Sequence, residues 1–122
     1  MIGFITLGTN DFSAAVSFYD QLLSQLGWKR LLATDVEITW APPERGTMIT
    51  LLHPFDKNAA SPGNGQMVGL MASSKDEVCD VYAKALELGA QDEGTPGQRS
   101  DNFYAAYFRD LDGHKFCVAL FT

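Results

Sequence analysis

The sequence predicts an α+β domain made of two βαβββ modules, each with one face of a curved mixed sheet under a helix. Three observations carry this. Apolar, aromatic and β-branched runs between Phe103 and Phe121 flank Asp110-Leu-Asp-Gly113. Asp bonds its own backbone and Gly supplies a positive φ, so the stretch reads as a β-hairpin. Two amphipathic helical stripes each follow a strand-like run and end at Leu-Gly. The two halves also repeat: Phe4 falls on Met67, Asp11 on Ser74 and Tyr19 on Tyr82 at one common offset, and Leu26-Gly27 falls on Leu88-Gly89 with a slip of one. Gly46 with Met48–Leu51 then matches Gly113 with Lys115–Val118 after a small insertion. Self-similarity of this kind defines architecture better than local propensity does.

Taken in order, Ile2–Leu7 is a strand, and Gly8-Thr-Asn-Asp11 offers several helix N-caps. Phe12, Ala15, Val16, Tyr19, Leu22, Leu23 and Leu26 make one apolar helical stripe, stopped by Gly27. Strands are expected at 28–33, 36–40 and 47–52, with a turn at Pro42–Gly46. Residues 53–65 are rich in Pro, Gly, Asn and Ser and read as a long loop, of the kind that joins modules or carries function. Module 1 is thus placed at about 1–53, a linker at 54–65 and module 2 at about 66–122. The second module opens with a strand at 66–72. Ser74-Lys-Asp-Glu77 forms a capping box in which Glu77 is expected to reach back to the N–H of Ser74. Val78, Val81, Tyr82, Ala85, Leu86 and Leu88 form the next stripe, ended by Gly89, and a polar stretch from Gln91 to Asn102 leads into the hairpin.

At 122 residues the chain has the length of one domain. A net charge of −6 argues against a nucleic-acid partner, which needs a basic face to neutralise phosphates. No apolar run approaches the ~20 residues of a membrane span, and no secretory leader is read at the start, so the fold is expected to begin at Met1. Cys79 and Cys117 lack Cys-x-x-Cys spacing and are expected to stay reduced in the cytoplasm.

The strand with Thr9-Asn-Asp11, then Phe18-Tyr19, Leu26-Gly27, Gly63-Asn-Gly65 and Arg109-Asp-Leu-Asp-Gly-His114 together resemble the vicinal oxygen chelate superfamily. That group includes glyoxalase I, extradiol dioxygenases, fosfomycin-resistance enzymes and bleomycin-resistance binding proteins. The resemblance spans essentially the whole chain and implies a glyoxalase-like fold with a concave cavity, commonly as a homodimer. It also implies four metal-ligand positions, two per module. Carried onto this sequence they fall on Phe4 and Met67 in the first strands and on Thr50 and Cys117 in the last. None is His or Glu, and a one-residue slip brings in Ile5, Val68, Leu51 and Phe116 or Val118, which are no better donors. No metal and no cofactor are expected.

The period of two gives each sheet two faces. Ile5, Leu7, Ile49, Leu51, Val68, Leu70, Phe116, Val118 and Leu120 belong under the helices. Phe4, Thr6, Met48, Thr50, Met67, Gly69, Met71, Cys117 and Ala119 belong on the other face, rich in sulfur and small side chains suited to an apolar or aromatic ligand. The competing reading is that these residues fill a core. Trp40, Phe103, Tyr104 and Tyr107 are candidates to close the sides of such a cavity, or to serve structure alone. Arg99 is either an exposed side chain or the partner of an anionic group. His114 belongs to the turn and His53 to the far side of its strand. Cys117 is the one nucleophile on the cavity face, and buried thiols are mostly inert.

The function expected is metal-independent binding of a small apolar or aromatic molecule, as in the bleomycin-resistance type of member, with the net negative charge favouring a cationic ligand. Two alternatives stand beside it: a glyoxalase-like lyase or dioxygenase-like enzyme with an atypical site, and a degenerate structural or regulatory dimer.

Overall fold

The computed structural model describes residues 1–122 and resolves them into two compact units, Met1–Ser61 and Pro62–Thr122. Unit 1 runs β1 (Phe4–Gly8), α1 (Phe12–Ser24), β2 (Lys29–Ala33), β3 (Glu37–Ala41) and β4 (Met48–Leu52). Its sheet has the order β1-β4-β3-β2, with β1 parallel to β4 and the other pairs antiparallel. Unit 2 repeats the plan with β5 (Val68–Met71), α2 (Lys75–Glu87), β6 (Gln91–Ser100), β7 (Phe103–Arg109) and β8 (Lys115–Phe121), in the order β5-β8-β7-β6. The predicted α+β pair of βαβββ modules is the fold, with one four-stranded mixed sheet in each unit.

In unit 1, strand alternation sends Leu7, Ile38, Trp40, Ile49 and Leu51 to one side, where all are buried. They meet the buried stripe of α1, Ala15, Phe18, Tyr19, Leu22 and Leu23. Tyr19 packs on Trp40 with ring centroids 5.6 Å apart. Burial of each leucine, isoleucine or phenylalanine among them stabilises the fold by roughly 1.5–3 kcal/mol. Asp11 caps α1 by accepting from the N–H of Ala14 at 3.1 Å. The side-chain amide of Asn10 bonds both backbone groups of Ala60, at 2.7 and 3.0 Å, so residues up to Ser61 fold back onto unit 1.

In unit 2, α2 lies over β6, β7 and β8. Its Val78, Val81, Tyr82 and Ala85 are buried, as are the sheet's Leu70, Ala106, Phe108, Phe116 and Val118. Phe108 and Phe116, directly paired across the hairpin, stack at 5.5 Å. The hairpin turn is held by Asp110, whose buried carboxylate accepts from the N–H groups of Asp112 and His114 at 3.0 and 2.8 Å.

Two local expectations are corrected. Ser74 does cap α2 through the N–H of Glu77 at 3.0 Å, but Glu77 reaches back to the N–H of Ser73, at 2.9 Å, rather than to that of Ser74. The polar stretch after Gln91 is a ten-residue strand, β6, paired antiparallel to β7 with three register shifts. Pro96 is tolerated there because β6 is the edge of its sheet. No helix is long and apolar enough to cross a membrane.

Candidate ligand-binding site

The face of the unit 2 sheet turned away from α2 is built row by row from strand register. Phe103 pairs with Phe121, Ala105 with Ala119, Tyr107 with Cys117, and Arg109 with Lys115. Gly69 and Met71 of β5 extend two of these rows beside Cys117 and Ala119. Ala105, Cys117 and Ala119 form a buried floor of small side chains, with Phe103 and Tyr107 packed against it. Met67 and Met71 stand at its β5 border, 50% and 62% exposed. On the β6 side Gly94 lies opposite Tyr107, and a Cβ there would fall 3.0 Å from the Tyr107 ring. The missing side chain leaves room for the Tyr107 ring beside Gly94.

Three cations surround this floor. Arg99 and Lys115 sit over the Tyr107 ring at 5.5 and 5.6 Å from its centroid, within the range of cation–π attraction. Arg99 is anchored by the carbonyl of Thr95 at 2.5 Å. Arg109 donates through Nε to Glu93 at 2.6 Å and through Nη1 to the carbonyl of Gly113 at 2.9 Å. That arginine's hydrogen bond holds the Glu93 carboxyl below its usual range, against the opposing effect of burial. Burial is also the main force raising the Cys117 thiol and the Tyr107 phenol. The Tyr107 hydroxyl and the charges of Arg99 and Lys115 pull Cys117 the other way without reversing the shift. Cys117 is therefore a neutral thiol at neutral pH, poorly suited to nucleophilic attack. Beyond the Arg109–Lys115 row, the segment Pro62–Met67 borders a cleft of about 480 Å³.

The corresponding face of unit 1 is centred on threonines, with Glu37 and Lys29 toward its edges. Phe4 pairs with Met48, and Thr6, Thr50 and Thr39 form a row across β1, β4 and β3. The Thr39 and Thr50 hydroxyls share a hydrogen bond of 2.6 Å. Phe4 is 59% exposed.

The sequence candidates thus divide. Phe4, Thr6, Met48 and Thr50 share one face of unit 1, while Met67, Met71 and Cys117 share one face of unit 2. Trp40 and Tyr104 are corrected: both lie on the helix-facing sides of their sheets. Trp40 is 1% exposed and donates its Nε1–H to Asp20 of α1 at 2.9 Å. Tyr104 places its hydroxyl 3.6 Å from the thiol of Cys79 on α2, with Lys75 over its ring at 5.2 Å. The contact with Cys79, then burial, raises the Tyr104 phenol. Sequence reasoning missed Lys115 and Arg109. The signal was present, because a turn from Asp110 to His114 sets residues 109 and 115 opposite each other.

Over residues 1–118 the chain matches the family described as the Glyoxalase/Bleomycin resistance protein/Dioxygenase superfamily. The chain belongs to this superfamily. A glyoxalase/bleomycin resistance protein from Albidiferax ferrireducens T118 is 32% identical, with a TM-score of 0.87 over 98% of this chain and 97% of that one. A glyoxalase-related enzyme from Fulvimarina pelagi is similar in fold at 21% identity, with a TM-score of 0.78 over 98% and 86% of the two chains. Lactoylglutathione lyase from Agrobacterium tumefaciens is similar in fold at 20% identity, with a TM-score of 0.71 over 98% and 92%. No functionally curated protein matches the sequence.

The metal positions implied by the superfamily can be tested against the side chains present. Phe4 has no donor atom, and Met67 offers only a thioether. The Thr50 hydroxyl is engaged with Thr39, and burial raises the Cys117 thiol toward its protonated form. A divalent cation needs several oxygen, imidazole or thiolate donors at once. This set does not fit one, and no three His, Cys, Asp or Glu side chains gather elsewhere as a metal-holding group.

Proposed function

We propose that this superfamily member binds a small, partly aromatic molecule on the helix-free face of unit 2, without a metal ion. One observation carries the reading: two methionines, half or more exposed, border a floor of Ala105, Cys117 and Ala119 flanked by Phe103 and Tyr107. Thioethers adapt to flat ring systems, and small floor residues leave room for one to lie down. The superfamily includes bleomycin resistance proteins, which supports binding as the mode of action. The donor set described above supports the absence of a metal.

The test is a thermal shift with indole or benzyl alcohol, in chelator, alongside elemental analysis after incubation with zinc, nickel, manganese and iron(II). The expected outcome is a dose-dependent rise in Tm that chelator does not abolish, with no stoichiometric metal retained. Stoichiometric metal would contradict the reading, and lyase and dioxygenase assays would then take precedence.

A further inference from the structure

The charges on this face are not distributed as the whole chain would suggest. The chain carries a net charge of −6, yet Arg99, Arg109 and Lys115 share one face of unit 2 with Glu93 as the carboxylate bonded to Arg109. Arg109 and Lys115 are directly opposite across the β7–β8 hairpin. Like charges facing each other in an antiparallel pair are destabilising, so the arrangement calls for a counter-charge. Glu93 supplies one negative charge, engaged with Nε of Arg109. Nη1 of Arg109 is spent on the carbonyl of Gly113. The Lys115 ammonium lies over the Tyr107 ring, and its charge reaches Glu93 without the close contact that Arg109 makes, so one carboxylate serves both cations.

Arg109 and Lys115 both line the 480 Å³ cleft, whose other polar side chains are the amides of Asn64 and Gln66. No carboxylate lines it. The loop that closes the cleft is tightly wound: Gln66 N–H bonds the carbonyl of Gly63 at 3.2 Å, and a Cβ at Gly63 would fall 2.1 Å from the Gln66 side-chain oxygen. Gly63 is thus required for the Gln66 amide to lie where it does. A guanidinium, an ammonium and neutral amides around a cleft without carboxylates are the donor set of an oxyanion site.

We propose that this cleft is an oxyanion subsite. It takes the carboxylate or phosphate group of a small molecule whose apolar body lies on the adjoining Cys117–Ala105 floor. The proposal deepens the preceding reading and rests on it for the position of the apolar body. It replaces the cationic ligand that net charge alone suggests with an anionic one.

The experiment is a titration of the ¹⁵N-labelled chain, at constant ionic strength, with inorganic phosphate, benzoate and benzyl alcohol in parallel. Saturable amide shifts at Gly65, Gln66 and Lys115 are expected with benzoate or phosphate. Lys115→Gln and, separately, Asn64→Ala are each expected to weaken that binding, the former about tenfold or more, corresponding to about 1.4 kcal/mol. Saturation by benzoate but not phosphate assigns a carboxylate, and the converse assigns a phosphate. Absence of saturable shifts with either anion, or affinity indifferent to both substitutions in a folded chain, would overturn the subsite. Benzyl alcohol matching benzoate on the floor would do the same while leaving the apolar-face reading intact. Phosphate binding in the cleft without either aromatic compound binding would leave the subsite standing and remove the apolar face.

Discussion

Asp20 has two roles in unit 1 that mutation can separate. Its Oδ1 accepts from the Trp40 indole and from Arg30 Nε, both at 2.9 Å, and its Oδ2 accepts from Arg30 Nη2 at 2.5 Å. Asp20→Ala leaves the Trp40 N–H without its acceptor and is expected to cost about 1–3 kcal/mol. Asp20→Asn keeps an acceptor for the indole and loses only a partly exposed ion pair, so its cost should stay below about 1 kcal/mol. The Arg30 hydrogen bond holds the Asp20 carboxyl below its ordinary value, with burial opposing. A lowered folded value means that the contribution is complete above the unfolded value of about 3.9 and is lost as pH falls through the folded one. Urea unfolding should therefore show the gap between wild type and Asp20→Asn closing below about pH 4. A gap that widens in acid would contradict the assignment.

Among the elements, the helices were the most legible. Their stripes, the caps at Asp11 and Ser74, and the Leu-Gly stops all lie in local sequence, and α1 and α2 follow them closely. Ser74→Ala is expected to cost about 1 kcal/mol and to speed hydrogen exchange in the first turn of α2, leaving α1 unchanged. Unchanged exchange in α2 would mean that the cap is not stabilising. β6 was illegible because Gly94-Thr-Pro-Gly97 has turn composition, and its strand state comes from pairing with β7 through repeated bulges. Trp40 was misplaced for a related reason. The loop between β3 and β4 is longer than a two-residue hairpin, so nothing local sets the register that puts Trp40 beside Ile49 under α1. Tyr104 was readable in principle, since alternation from the Asp110 turn groups it with Phe108 rather than with Tyr107.

At the scale of the whole molecule, the duplication visible as Phe4/Met67, Asp11/Ser74 and Tyr19/Tyr82 reappears as two units with the same strand order. The helix-facing sides have kept the same role in both, with Tyr19 and Tyr82 each buried on its helix. The opposite faces have diverged: a threonine row in unit 1, and methionines, a thiol and three cations in unit 2. Net charge could not reveal that difference, because it averages an acidic surface with a basic site. The most direct test of ligand binding on that face uses the four methionines as reporters. The chain, labelled with ¹³C at the methionine methyl groups and kept in chelator, would be titrated with indole. Saturable shifts of the Met67 and Met71 methyls are expected, with Met1 and Met48 little changed. Methyls that stay in place, or that respond only after a divalent metal is added, would contradict it.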